Sequence, residues 1–452
     1  MRTDIIHAGA DELSYEIREI VAVGKEFEKR GVPIAWENIG DPVEKGARVP
    51  EWIKMAIRDT LSDDSAFAYS PTKGLLETRQ FISDLRRREA GVALDPEDIL
   101  FFNGLGDAIS IAYTYLNRAA RVIGPNPAYP AHSSAEAAHA GAHHITYNLN
   151  PARNWLPDLE DIRNKVKYNP AVAGILVINP DNPTGMVYPR RVLEEIADIA
   201  REHDLFLISD EVYANISYGA ERMVPLYEVI GKDIPAIIMR GLSKEVPWPG
   251  ARCGWIEVYN KNRDPMFARY IKTLVDAKQL EVCSTTLPQK ALPRILGDNR
   301  YAEHLKNLSA QYKKRAETAY RIFRSVQGII APKPEGAFYM SVVFEEGTLN
   351  GNQSLPAQTK EAEEYLISIT KSISPDKRFV YHLMAHTGIC VVPLSGFNSN
   401  LYGFRITLLE PDEKKFRDRM ETIAEAIEEY LKSQNSNLKS PKLSKRFFTP
   451  EV

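Results

Sequence analysis

Residues 236–259 read AIIMRGLSKEVPWPGARCGWIEVY. Two apolar runs, AIIMRG and GWIEVY, enclose a segment that no regular element can hold, because Pro247, Pro249 and Gly250 interrupt both helix and strand. Lys244 stands at the tip of the first run, and Arg252 follows eight residues later on a stiffened turn. Similar runs recur between about Asp98 and Tyr259: DILFFN, RVIG, GILVIN and LFLISD. They are continuous rather than alternating, as expected of strands covered on both faces in a mostly parallel sheet. Amphipathic segments separate them. In VLEEIADIAREHD, for example, Leu193, Ile196, Ala197 and Ala200 follow helical spacing. This grammar predicts an α/β domain whose ligands bind beyond the carboxyl ends of the strands.

The rest of the chain reads differently. YAEHLKNLSAQYKKRAETAYRIFRSV predicts a long charged amphipathic helix near 300–325. PEGAFYMSVVF, a polar insertion near 346–360, a helix near 360–374, HTGICVVPLSGF and FRITLL then predict a smaller α+β domain. The expected division is an N-terminal arm and part of the small domain at 1–60, a large domain at 61–320, the small domain at 321–435 and a tail at 436–452. The arm holds a helix and the loop NIGDP, which should dock against both domains. The polar, basic stretch from Ser433 should be loosely held.

With 57 basic against 60 acidic residues and a net charge of −3, the chain carries no electrostatic footprint for nucleic acid or an acidic membrane. Cys253, Cys283 and Cys390 have no paired spacing, so neither a disulfide framework nor a metal site is expected. No run approaches the ~18 apolar residues of a membrane span, and MRTDIIHAGADEL lacks signal-peptide order. A cytoplasmic protein is expected.

The polar motifs sit where the runs end. Taken alone, Lys244 reads as an ordinary solvated lysine. The other reading is a desolvated amine that forms a Schiff base with a carbonyl. Arg252 favours the second, because its fork of donors suits a phosphate. A lysine beside a phosphate-binding arginine points to pyridoxal 5′-phosphate, an aldehyde that carries a phosphate. Such a ring needs a carboxylate at its nitrogen, and LISDEVY offers Asp210, with Tyr213 three residues on; a helix cap is the plainer reading of that aspartate. FFNGLGDAISIAYTYL joins a strand to a helix through Gly104 and Gly106, which suits a phosphate or an ordinary turn. In GPNPAYP the prolines present Tyr129 either as a stacking surface or as a packed loop residue. VINPDNPTG closes another run and places Asn182 just before Pro183, as a donor to the phenolic oxygen or as part of a structural turn.

In this order, NPDNPTG, DEVY, SK followed eight residues later by R, and FRITLL resemble the fold-type I pyridoxal-phosphate-dependent aminotransferases of class I/II, over roughly Asn38 to Leu409. The resemblance implies a Schiff base (aldimine) on Lys244 and Asp210 against the ring nitrogen. Asn182 and Tyr213 would bond the phenolic oxygen, and Tyr129 would stack on the ring. Arg252, Ser243 and the amides around Gly104, Leu105 and Gly106 would take the phosphate. Arg405, helped by Gly40 and Asn182, would take the substrate α-carboxylate. Tyr69, in FAYSPTKG, matches the tyrosine that reaches the neighbouring subunit's phosphate, which implies a homodimer with shared sites. Glutamate and 2-oxoglutarate are the expected first pair.

Two departures stand out. Gly241 occupies a position where many relatives carry a phosphate-binding serine, and GLGD puts Asp107 near an anion, so that its carboxylate must point away or cap the helix. A carbon–sulfur lyase, a decarboxylase or an acyl-CoA-condensing synthase shares Lys, Asp and Arg and is the alternative enzyme. A cofactor-sensing transcription regulator would need a basic DNA-binding segment ahead of the module, and the first ~35 residues are too short and acidic for one.

Overall fold

The computed structural model describes residues 5–13 and 16–433. A short strand β1 (Ala35–Trp36) lies ahead of eight strands: β2 (Ile99–Phe102), β3 (Arg121–Asn126), β4 (Thr146–Asn150), β5 (Leu156–Pro157), β6 (Val172–Ile178), β7 (Phe206–Asp210), β8 (Ala236–Gly241) and β9 (Gly254–Tyr259). The eight form one sheet in the order β2-β9-β8-β7-β6-β3-β4-β5. The run from β8 to β4 is parallel, while β9 lies antiparallel to both its neighbours. All six apolar runs read from the sequence are strands of this sheet. Two more, β4 and β5, leave no continuous apolar run, because β4 alternates in burial and β5 has only two residues.

The continuous runs have a simple cause. Successive side chains enter opposite faces, so Ile175 and Val177 join one core while Leu176 and Ile178 join the other. The helix Arg190–Glu202 buries Leu193, Ile196, Ala197 and Ala200 against the first of these.

A four-stranded antiparallel sheet follows, ordered β10-β11-β14-β13, from β10 (Ile329–Ile330), β11 (Tyr339–Phe344), β13 (Val392–Pro393) and β14 (Gly403–Thr407). Between them, β12 (Ile389–Cys390) pairs in parallel with β1. The long helix Arg300–Phe323 packs on a C-terminal helix, Glu413–Lys432. Sequence reading omits that last helix, although Asp412 caps it and Phe416, Met420, Ile423, Ile427 and Tyr430 mark its buried stripe. The helix expected near 360–374 is a correction. It ends at Ile369, and a second helix runs Pro375–Thr387, because Pro375 suits a first turn but not a continuing one. The polar insertion is clamped rather than loose: Gln353 and Leu355 are buried, Leu355 N donates to His382 Nδ1 at 3.1 Å, and Arg378 reaches Gln353 O. The expected loose stretch lies outside the described residues beyond Ser433.

Under β9 lies a buried ionic cluster. Arg86 clasps Glu257 through two nitrogens, Trp255 Nε1 and Tyr259 Oη each donate to the same carboxylate at 2.9 Å, and Arg240 pairs with Glu211.

Candidate active site

Parallel register brings the motifs to one edge. Ile178 of β6 pairs with Asp210 of β7, which pairs with Met239 of β8. Asn182, Asp210 and Lys244 therefore leave three adjacent strands on the same side.

Lys244 is half-buried, with Nζ donating to Gly40 O at 2.8 Å and lying 5.7 Å and 5.8 Å from the ring centroids of Phe338 and Tyr213. Loss of solvent around the ammonium lowers its pKa from 10.5 to about 8; Asp41 and Asp210 oppose the shift, while Arg405 and Arg252 add to it. NIGDP thus arrives at the lysine. It also arrives at Arg405, on β14, whose guanidinium donates to Asn38 O at 2.5 Å and Asn182 Oδ1 at 3.2 Å. That group lies over Tyr339 at 4.4 Å and Phe397 at 5.0 Å and is 2% exposed. Position 40 must be glycine, since a Cβ there would stand 2.2 Å from Tyr339 Oη.

Asp210 is buried at the end of β7. Val212 N donates to its Oδ1 at 3.1 Å, and His132 Nε2 lies 3.2 Å from its Oδ2. His132 in turn meets the Tyr129 ring edge-on and approaches Tyr113 Oη. Tyr213 Oη is 3.0 Å from Tyr339 Oη, and burial pushes the Tyr213 phenol well above its usual range. His132 and Tyr339 are the functional residues that sequence reading misses. His132 sits in the first turn of the helix Pro130–Ala140, and Tyr339 lies inside the apolar run of β11, so each reads as core.

The strand–glycine–helix junction is a cradle. Gly104 has φ +85° and caps the helix Leu105–Thr114; a Cβ there would meet Arg252 Nη2 at 2.4 Å, so only glycine lets the guanidinium approach. Arg252 holds a left-handed φ of +47° at the end of the turn Pro249–Ala251 and donates to Asn103 O at 3.2 Å. Gly106 lies open beside it, with Leu105 packing towards Gly241. A Cβ at Gly241 would stand 3.0 Å from Cys253 O, so a serine there would need the neighbouring main chain to give by a few tenths of an ångström. Ser243, beside Lys244, is half-buried. Asp107 caps its own turn through Asn103 N at 2.9 Å and pairs with Lys278. Tyr69 is not gathered in: it is 84% exposed, on a segment tied to residues 284–286 through Ser70 and Thr286.

The sequence model of the family described as aminotransferase class I and II matches residues 38–423. The chain belongs to that family. An uncharacterized aminotransferase of Methanocaldococcus jannaschii is 53% identical to this aminotransferase, over 96% of the chain and 100% of the relative. The glutamate-pyruvate aminotransferase AlaA of Escherichia coli is 30% identical over 73% of the chain and 80% of its own length. Among solved structures, an alanine aminotransferase from Pyrococcus furiosus superposes with a TM-score of 0.78 at 28% identity, covering 92% of this chain and 98% of that one. An Escherichia coli aminotransferase gives a TM-score of 0.80 at 25% identity, covering 95% and 98%. These neighbours bear out the expected fold, an α/β domain with a mostly parallel sheet and a smaller α+β part. Among the described residues no helix is long and apolar enough to cross a membrane.

Proposed function

We propose that this aminotransferase uses pyridoxal 5′-phosphate held by Lys244 to move an amino group between glutamate/2-oxoglutarate and a second amino-acid/2-oxo-acid pair, with alanine/pyruvate as the first to test. The observation that carries the reading is the convergence of Lys244, Asp210 and Arg405 on one strand edge. The residues fit such a cofactor: a lysine with pKa about 8 for the aldehyde, a buried carboxylate for the ring nitrogen, and a glycine cradle beside Arg252 for the phosphate. The pair glutamate–pyruvate comes from the name of a 30% identical relative.

The cofactor, when bound, supplies an electron sink for the bond that breaks at the substrate's α carbon. The protein does the rest. Lys244 would hold the cofactor through its aldehyde, and its free amine would take the substrate's α proton; a pKa of about 8 leaves part of it neutral near pH 7. Asp210, fixed by His132 and Val212 N, would hold a proton on the ring nitrogen. Tyr213 and Asn182 would serve the phenolic oxygen, and Tyr129 the ring. Arg252 and the amides of Leu105 and Gly106 would hold the phosphate. Arg405 receives the α-carboxylate, oriented by Asn182 and the Asn38 carbonyl.

Residues 61–320 form the cofactor-binding domain in this reading, and 321–435 with part of 1–60 form the small domain. The exposure of Tyr69 supports a homodimer in which it reaches the neighbouring site.

The test uses purified protein with added cofactor and L-glutamate, without any oxo acid. One equivalent of 2-oxoglutarate per site is expected. Carbon dioxide release from an amino-acid panel, or sulfide release accompanied by free ammonia, with no amino group passed on to an added oxo acid, would replace the reading with a decarboxylase or lyase.

A further inference from the structure

Asn103 has each of its polar groups engaged at the start of the cradle. Its N–H donates to Asp107 Oδ2 at 2.9 Å, and its carbonyl accepts from Arg252 Nη2 at 3.2 Å. Its amide nitrogen donates to Glu281, and its Oδ1 accepts from Thr285 N at 3.1 Å. Lys278 completes the group, its Nζ 3.2 Å from Asp107 Oδ2 and also paired with Glu281. The Lys278 side chain is 0% exposed, with its ammonium 5.2 Å from the Phe102 ring centroid.

We propose that Lys278 is a positioning residue for the cofactor's phosphate: through Asp107, Glu281 and Asn103 it keeps a helix start that bears a carboxylate able to accept a dianion, and holds Arg252 in place. The inference rests on the cofactor reading above. Asp107 and Glu281 both pair with Lys278, and Arg252 joins the group through the Asn103 carbonyl, so one buried cation offsets two carboxylates before the phosphate arrives. A buried lysine is costly to desolvate and is retained only when paired. Removing it would leave both carboxylates uncompensated beside the open amides of Leu105 and Gly106. The same frame would serve a phosphate site built without a hydroxyl at position 241, where a Cβ would stand 3.0 Å from Cys253 O.

The full-length apoprotein is titrated with pyridoxal 5′-phosphate and, separately, with pyridoxal, which lacks the phosphate. Lys278→Met is expected to weaken binding of the phosphorylated ligand by roughly tenfold or more, the effect of one unbalanced charge close to a dianion, and to leave pyridoxal binding unchanged. Adding Asp107→Asn to that variant restores most of the loss. Asp107→Asn alone keeps the lysine and tightens only the phosphorylated ligand, so the proposal stays testable if Lys278→Met does not fold. Equal losses for both ligands, or no phosphate-selective change with Asp107→Asn, would make Lys278 a packing element and overturn the proposal. Failure of the unaltered protein to bind either ligand would overturn the cofactor reading along with it.

Discussion

Lys244 Nζ donates to the carbonyl of Gly40 at 2.8 Å, although the two residues lie 204 positions apart. The amine is therefore held by main chain from the N-terminal arm, and that same arm presents Asn38 O to Arg405. Lys244 and Arg405, proposed as the reacting amine and the carboxylate receptor, share one support.

Gly40→Ala tests that support. The new Cβ would overlap Tyr339 Oη at 2.2 Å, moving either the loop or the tyrosine that bonds Tyr213. A small displacement of reacting groups costs on the order of 100-fold, so kcat/KM for glutamate should fall by about that factor while the melting temperature stays nearly unchanged. Activity close to that of the unaltered protein would show that the loop is not a support.

The pH dependence of cofactor capture follows from Lys244. Only the neutral amine attacks an aldehyde, and lowering the pKa enlarges the neutral fraction at a given pH. The rate at which apoprotein takes up pyridoxal 5′-phosphate should rise with pH and level off above about 8. Stopped-flow absorbance checks this; a rate still climbing towards 10.5 would mean an unshifted lysine.

Arg86→Leu addresses the buried cluster. Burial pushes the Glu257 carboxyl up, but Arg86 outweighs it and holds the group down at about 2. Its stabilisation is therefore full above the ordinary value of 4.5 and is lost as pH falls towards 2. Removing the arginine strands a buried carboxylate and should cost about 3–5 kcal/mol in denaturant unfolding. Replacing both partners by leucine should cost less. A single-variant loss below about 1 kcal/mol would mean the charge finds another partner.

The large sheet was legible because strands buried on both faces leave unbroken apolar runs, and AIIMRG or GILVIN can hardly be anything else. Lys244, Asp210 and Asn182 were legible as candidates because their motifs close such runs, and Arg405 because it stands within FRITLL. β4 and β5 escaped because the first alternates in burial and the second has only two residues. The C-terminal helix escaped because its apolar stripe is diluted by charge. His132 and Lys278 were invisible for a different reason. Their meaning comes from contacts across 78 and 171 positions, with Asp210 and Asp107, and nothing in the local sequence of either residue carries it.

Borohydride reduction of the protein loaded with pyridoxal 5′-phosphate, followed by digestion and mass spectrometry, tests most directly whether Lys244 holds the cofactor. The account predicts one phosphopyridoxyl adduct per chain, on the peptide containing Lys244, and none at that position in Lys244→Ala. An adduct confined to another lysine, or no adduct at saturating cofactor, would contradict it.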